Sequence, residues 1–313
     1  MASDVGPLTW RRIASRWSIR RTLAPHRVGG SDPTTRLGPT SMVRAARTPD
    51  GPGTLLIRWS ADPAPPDEVV VDAEAWGPGS EWLLSRVDPM IGRGDRAVEF
   101  DGAVPAVRRA LAARRSVRLT ASGDPYHLLI PTVIGQRITG HESSRQWARL
   151  GTALGEPAPG PAGIVGDLRL PPEPRVLART PLWWFHPIGI EAARARTLVE
   201  AGRHADKMWR WAEAGPAHLV EHLRMLRGVG AWTAHEVAGP CCGDADCVPV
   251  GDYHYPNQVA WAVAGEPRAD DDRMLELLAP YAPHRGRVLQ AIVSTTTAPK
   301  FGPRRRILPM HRW

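Results

Sequence analysis

The chain has almost no lysine. Lys207 and Lys300 are the only two among 40 Lys and Arg residues, so Schiff-base chemistry has just two side chains from which it could start. Cysteine is scarce as well. Cys241, Cys242 and Cys247 are too few for a secreted disulfide framework and leave one thiol over in any pairing, which fits a reducing cytoplasm. Long apolar runs are missing: the best, from Leu128 to Ile134, contains Pro131, and no apolar segment follows Arg11, Arg12, Arg16, Arg20 and Arg21. Neither a signal peptide nor a membrane span is expected.

What the chain does have is positive charge and many turn formers. A net charge of +8 makes a polyanion such as nucleic acid the first partner to test. With 313 residues, 42% of them hydrophobic, the chain can bury a full core in two domains or one large composite domain. Its 30 glycines and 32 prolines divide that core with loops.

Residues 1 to 117 read as a β-rich N-terminal domain. Thr54 to Trp59 and Glu68 to Val71 are short, rich in β-formers and bounded by Pro, Gly and Asp, which predicts an antiparallel sheet. Trp82 to Leu84 and Val107 to Leu111 predict short helices. Residues 118 to 297 read as a helical domain. Asp124-Pro125 is a cap followed by a first-turn proline, and Thr139-Gly-His-Glu142 is a capping box. Pro131 is expected to disturb the first of these helices, and Gln136, Arg137 and Ile138 fall at the break before the second. The Pro/Gly-rich stretch from Glu156 to Pro174 reads as a long loop. Helical spacing resumes over 192–208, from Ala217 to Leu226, from Trp232, over 274–278 and over 288–293. Residues 298 to 313 form a basic tail. The fold class is therefore α+β, mostly helical behind a β-rich first part.

Two segments carry candidate chemistry. In Leu226-Arg-Gly-Val-Gly-Ala-Trp-Thr-Ala234 two glycines make a turn ahead of a helix N-terminus, where bare N–H groups and the helix dipole suit a phosphate. The same turn also suits a glycine cap joining two packed helices. In Val248-Pro-Val-Gly-Asp-Tyr-His-Tyr255 a single acid, Asp252, follows a loop. Such a carboxylate acts as a base, an electrostatic stabiliser or simply a helix cap.

Three segments in this order, DPYHLLIPTVIGQRIT, LRGVGAWTA and VPVGDYHYPN, resemble the helix-hairpin-helix DNA glycosylase superfamily in its 3-methyladenine DNA glycosylase II (AlkA-like) branch. The likeness runs from about Asp124 to Val293, and the β-rich first third also resembles that branch's N-terminal domain. The resemblance implies hydrolysis of an N-glycosidic bond in damaged double-stranded DNA, with Asp252 as the catalytic carboxylate that stabilises positive charge on the deoxyribose and aligns water. It places Gly228, Val229, Gly230, Thr233, Gln136 and Arg137 at the DNA, and Trp232, Glu236, Tyr253 and His254 around the extruded base. No cofactor and no metal are implied, and the protein is expected to act as a monomer in the bacterial cytoplasm, at the nucleoid through its DNA.

Relatives with lyase activity carry a lysine two residues after the second hairpin glycine, where this chain has Trp232, so a monofunctional enzyme is implied. Arg137 departs from the apolar wedge of many members, although a guanidinium also stacks on bases and pairs with phosphate. Glu236 stands where the alkyl-base branch commonly has an aromatic, and a carboxylate there would attract a cationic base. Two other activities fit the same segments: excision of an oxidised or deaminated base, and DNA-structure binding without catalysis. The thiols do not fit an iron–sulfur cluster, which needs four, and Cys241, Cys242, Cys247 and His235 lack a standard zinc spacing.

Overall fold

A computed structural model describes residues 7–15, 17–60, 68–96, 98–100 and 103–299; Arg16 and all but the first two residues of the expected basic tail lie outside them. The strands β1 (Leu8–Ser15), β2 (Thr35–Leu37), β3 (Ser41–Thr48), β4 (Gly51–Trp59) and β5 (Glu68–Trp76) form one antiparallel sheet in the order β1-β5-β4-β3-β2. Helices α1 (Ile19–Leu23), α2 (Ser80–Ser85) and α3 (Val87–Met90) accompany it. They are followed by α4 (Pro105–Ala113), α5 (Pro125–Gly135), α6 (Gly140–Leu154), α7 (Ala162–Val165), α8 (Pro174–Arg179), α9 (Leu182–Phe185) and α10 (Ala192–Glu213). The chain continues with α11 (Pro216–Arg224), α12 (Ala231–Cys242), α13 (Tyr255–Ala264), α14 (Asp271–Leu278) and α15 (Arg285–Thr295). Among the described residues no helix is long and apolar enough to cross a membrane.

Alternation along the strands buries both faces of the sheet. Met42, Ala46, Leu55, Ile57, Val71 and Ala73 pack under Ile19, Leu23, Leu83 and Met90 of the first three helices. Ala45 points the other way and meets Leu168 and Leu170. Those two leucines belong to the expected long loop, which is a strap: Pro157 bridges Arg169, α7 forms between them, and Arg47 donates to Glu156 at 2.6 Å. A proline-rich stretch can hold one path when its apolar side chains have a sheet to lie on.

The helices make two further cores. The larger gathers Tyr126, Ile130, Trp147, Phe185, Leu198, Leu219 and Val237 from α5, α6 and α9 to α12. The smaller joins Val107 and Ala110 of α4 to Val259, Met274, Leu278, Val288 and Ile292 of α13 to α15. A helix from the first third of the chain thus packs with the last ones.

Asp124 and Thr139 cap α5 and α6 through the N–H groups of His127 and Glu142. Pro131 does not stop α5, which runs on to Gly135. The helix is packed against α6, α10 and α12, and Thr132 Oγ1 donates to the Leu128 carbonyl at 2.7 Å, so burial outweighs the missing donor.

Where the sheet meets α5, a polar group is sealed inside. Arg44 donates to the His26 carbonyl at 2.9 Å, and its other nitrogen lies 3.8 Å from Asp124 Oδ2, which is 3.5 Å from His127 Nδ1. His26 and His127 pair with the hydroxyls of Thr120 (2.6 Å) and Thr34 (2.9 Å). Burial, assisted by the nearby Arg44 cation, lowers the pKa of both histidines.

Candidate active site

The segment from Leu226 to Gly230 is a tight turn between α11 and α12, and its two glycines answer to different demands. Gly228 has φ of +88°, and a Cβ there would lie 2.0 Å from Thr197 Oγ1 on α10, so the fold itself requires glycine. Gly230 caps α12 with φ of −88°, and a Cβ there would meet nothing within 4 Å. Any residue fits that backbone, and what glycine leaves at this exposed position is open space in front of a helix N-terminus. Val229 is buried between them, with its N–H donating to the Leu226 carbonyl at 3.0 Å.

Asp252 lies on the segment that crosses between the two helical cores: Cys247 belongs to the larger and Val248 to the smaller. Its Oδ1 accepts from the backbone N–H groups of His254 (2.6 Å) and Tyr255 (3.0 Å), so it holds the turn that leads into α13, whose N-cap is His254. Its Oδ2 accepts from the indole N–H of Trp232 at 3.0 Å. The carboxylate is half-buried and faces an open cavity of about 620 Å³, lined also by Gly251, Tyr253, Asn257, Arg268 and Asp271.

Trp232 and Glu236 are four residues apart, on one face of α12. That face is pinned twice to the start of α13, because Tyr255 OH donates to Glu236 Oε1 at 2.9 Å while Trp232 holds Asp252. Burial pushes the Glu236 carboxyl up to about 7; the Tyr255 hydrogen bond opposes this and the Asp252 charge adds to it. Burial also raises the Tyr255 phenol.

The α5–α6 break is tied into the same assembly. Gln136 Nε2 donates to the Gly228 carbonyl (3.0 Å) and to Thr233 Oγ1 (2.8 Å). Arg137 is exposed and has φ of +60°, the one positive value at a non-glycine residue among those described. Such a backbone costs energy and persists only where the surroundings impose it. The last turn of α5, just before Arg137, is held by Arg194 of α10, a buried residue that sequence reasoning missed. Its guanidinium donates to the Ile134 carbonyl at 2.6 Å and to Gln146 Oε1 at 2.9 Å. The available signal was a cation four residues before Leu198, on the apolar face of α10.

Hydrogen bonds therefore connect Gln136, Gly228 and Thr233, and join Trp232 to Asp252 and Glu236 to Tyr255. Tyr253 and His254 are exposed beside the carboxylate, their rings edge-on at 5.0 Å. Lys207 is exposed on α10. A carboxylate with both oxygens fixed and open to a cavity is preorganised to stabilise positive charge that develops beside it.

No family model and no curated protein sequence matches the chain. Solved structures do. A 3-methyladenine DNA glycosylase from Archaeoglobus fulgidus superposes with a TM-score of 0.70 at 14% identity, over 91% of this chain and 97% of that one. An 8-oxoguanine glycosylase/lyase from Clostridium acetobutylicum, in complex with DNA, gives 0.59 at 11% identity over 91% and 96%. A 3-methyladenine DNA glycosylase from Schizosaccharomyces pombe, in complex with abasic DNA, gives 0.51 at 16% identity over 61% and 91%. The chain has the fold of these DNA glycosylases, and the α+β class expected from its sequence is borne out.

Proposed function

We propose that the chain is a monofunctional DNA glycosylase of base excision repair, which extrudes an alkylated purine from double-stranded DNA and hydrolyses its N-glycosidic bond to leave an abasic site. The observation that carries this reading is the Trp232–Asp252 hydrogen bond. It fixes a half-exposed carboxylate to the first turn of the hairpin helix, one residue from the Thr233 that holds Gln136. In this reading the N–H groups around Gly228, Val229 and Gly230, with Thr233, grip a phosphate. Arg137 enters the vacated stack. The extruded base rests among Trp232, Glu236, Tyr253 and His254, and Asp252 supplies the counter-charge as the sugar becomes cationic, a contribution that grows only toward the transition state.

Trp232 also occupies the position at which a lyase would present its amine, so no imine with the sugar forms. A second reading, excision of an oxidised or deaminated base, draws on the likeness to the Clostridium acetobutylicum enzyme and uses the same residues with a different base pocket.

The test is base release from duplexes that each carry one defined lesion, with strand scission measured before and after alkali. Breaks confined to the alkali-treated samples, no borohydride-trapped adduct, and preference for 7-methylguanine or 3-methyladenine are expected. A trapped adduct contradicts the monofunctional assignment, preference for 8-oxoguanine or hypoxanthine selects the second reading, and binding without any base release leaves only a DNA-binding module.

A further inference from the structure

On the helix that leads into the hairpin, away from the Asp252 bonds, three side chains converge without any part in the proposed reaction. We infer that His218, Glu221 and His222 of α11 form a binding site for one zinc-like divalent transition-metal ion. Their spacing of i, i+3 and i+4 brings them to one face of the helix, and one ligand atom from each lies within 4.8 Å of the others. The two imidazole rings stand 3.9 Å apart between centroids.

The hydrogen bonding favours ligation. Nδ1 of His222 is 2.9 Å from the His218 carbonyl oxygen. A carbonyl only accepts, so Nδ1 carries the proton and donates, and in the neutral ring Nε2 keeps its lone pair. A ligating histidine held through its second nitrogen by a backbone carbonyl is the usual arrangement in metal sites. Trp211 of α10 lies 5.3 Å from the His222 ring and walls one side. On the adjoining face of α11, Leu219 and Leu223 are fully buried, which anchors the helix to the core and fixes the direction in which the three ligands point.

The donor set names the ion class. Two imidazole nitrogens and one carboxylate oxygen suit zinc and its neighbours, with a fourth position open to water because Glu221 is exposed. Calcium and magnesium prefer all-oxygen cages. The ion would staple the last two turns of α11, which ends at Arg224, four residues before Gly228.

The full-length chain, stripped by a chelator, should take up one equivalent of zinc by calorimetry, and zinc should raise its melting midpoint. Cobalt(II) should give the visible bands of nitrogen and oxygen ligation without a thiolate charge-transfer band. His218→Ala and His222→Ala should each weaken uptake by ~10-fold or more, as loss of metal-site partners does. In the unaltered protein, zinc should also protect His218 and His222, but not exposed His141, from carbethoxylation, which needs no variant to fold. Three results would overturn the site: no zinc uptake, unchanged uptake in the double alanine variant, or a thiolate band that places cobalt on Cys241, Cys242 or Cys247.

Discussion

Two aspartates in this molecule do the same local work and differ in everything else. Asp124 caps α5 through the His127 N–H, and Asp252 holds the turn into α13 through the N–H groups of His254 and Tyr255, each with one carboxylate oxygen. The second oxygen separates them. In Asp124 it is sealed with Arg44 and His127, both buried; in Asp252 it takes the Trp232 indole at the edge of an open cavity. Fixing the start of a helix uses half of a carboxylate, so the surroundings of the other half tell a structural acid from one available for chemistry.

Exchanging each acid for asparagine puts that distinction to its hardest test. An asparagine amide oxygen accepts the same two backbone N–H groups, so Asp252→Asn should change unfolding free energy by no more than ~1 kcal/mol while base release falls by ~10²–10³-fold, as when one preorganised electrostatic group is lost. Asp124→Asn should remove the larger of the two carboxylate charges that offset the buried Arg44, leaving only Asp32, and destabilise the fold by ~3 kcal/mol, with the chemistry of the surviving folded fraction intact. Denaturant titration and single-turnover base release on both variants decide it. The comparison breaks if Asp252→Asn unfolds as readily as Asp124→Asn, or if it excises bases at the wild-type rate.

The two regions should also titrate in opposite senses. A histidine whose pKa is lowered by folding stabilises the fold less as pH falls below its unfolded value of ~6.5, since the unfolded chain then binds more protons; His26 and His127 therefore produce an acid limb. Glu236, raised to about 7, works the other way. Between its unfolded value and 7 the folded protein holds the extra proton, so stability falls as pH rises through that window, by on the order of 3 kcal/mol. Glu236→Gln should abolish this decline and leave the acid limb untouched, as read from unfolding midpoints between pH 5 and 8. A variant with the wild-type profile would mean that Glu236 ionises like an exposed carboxylate.

Much of this was legible in the sequence, and the part that was not has a physical reason. Caps and hairpin glycines are local signals, so Asp124, Thr139 and the Gly228–Gly230 turn could be read from neighbouring residues alone. Pro131 misled because its effect depends on what surrounds α5, and three packed helices decide that. Arg194 was missed because its partners, Ile134 and Gln146, lie 60 and 48 residues away. The strap over the sheet was hidden because its order comes from Ala45 and Arg47, not from its own prolines.

The hairpin glycines repeat the aspartate contrast at smaller scale. Gly228→Ala combines a left-handed backbone with a 2.0 Å clash against Thr197 and should destabilise the fold by ~2–3 kcal/mol. Gly230→Ala meets nothing in the protein and should leave stability within ~1 kcal/mol, yet its methyl group stands where a phosphate would approach. Affinity for abasic-analogue duplex should drop about tenfold, equivalent to ~1.4 kcal/mol. Unchanged affinity would return Gly230 to the role of a simple helix cap.

The smallest effect is expected at Arg137, where strain and side chain can be separated. Arg137→Ala and Arg137→Gly remove the same guanidinium, so their difference in stability reports the backbone alone: glycine should be the more stable by ~1 kcal/mol, because φ of +60° is free of strain only for glycine. Excision should not follow stability. If the side chain fills the vacated stack, both variants should slow excision at a well-paired site more than at a mismatch, where extrusion is already cheap. Arg137→Leu should then recover much of the rate, since leucine fills space without charge. Failure of leucine to rescue, with equal defects at paired and mismatched sites, would instead assign Arg137 to phosphate pairing. Wild-type rates in all three variants would leave the strained turn without a part in base extrusion.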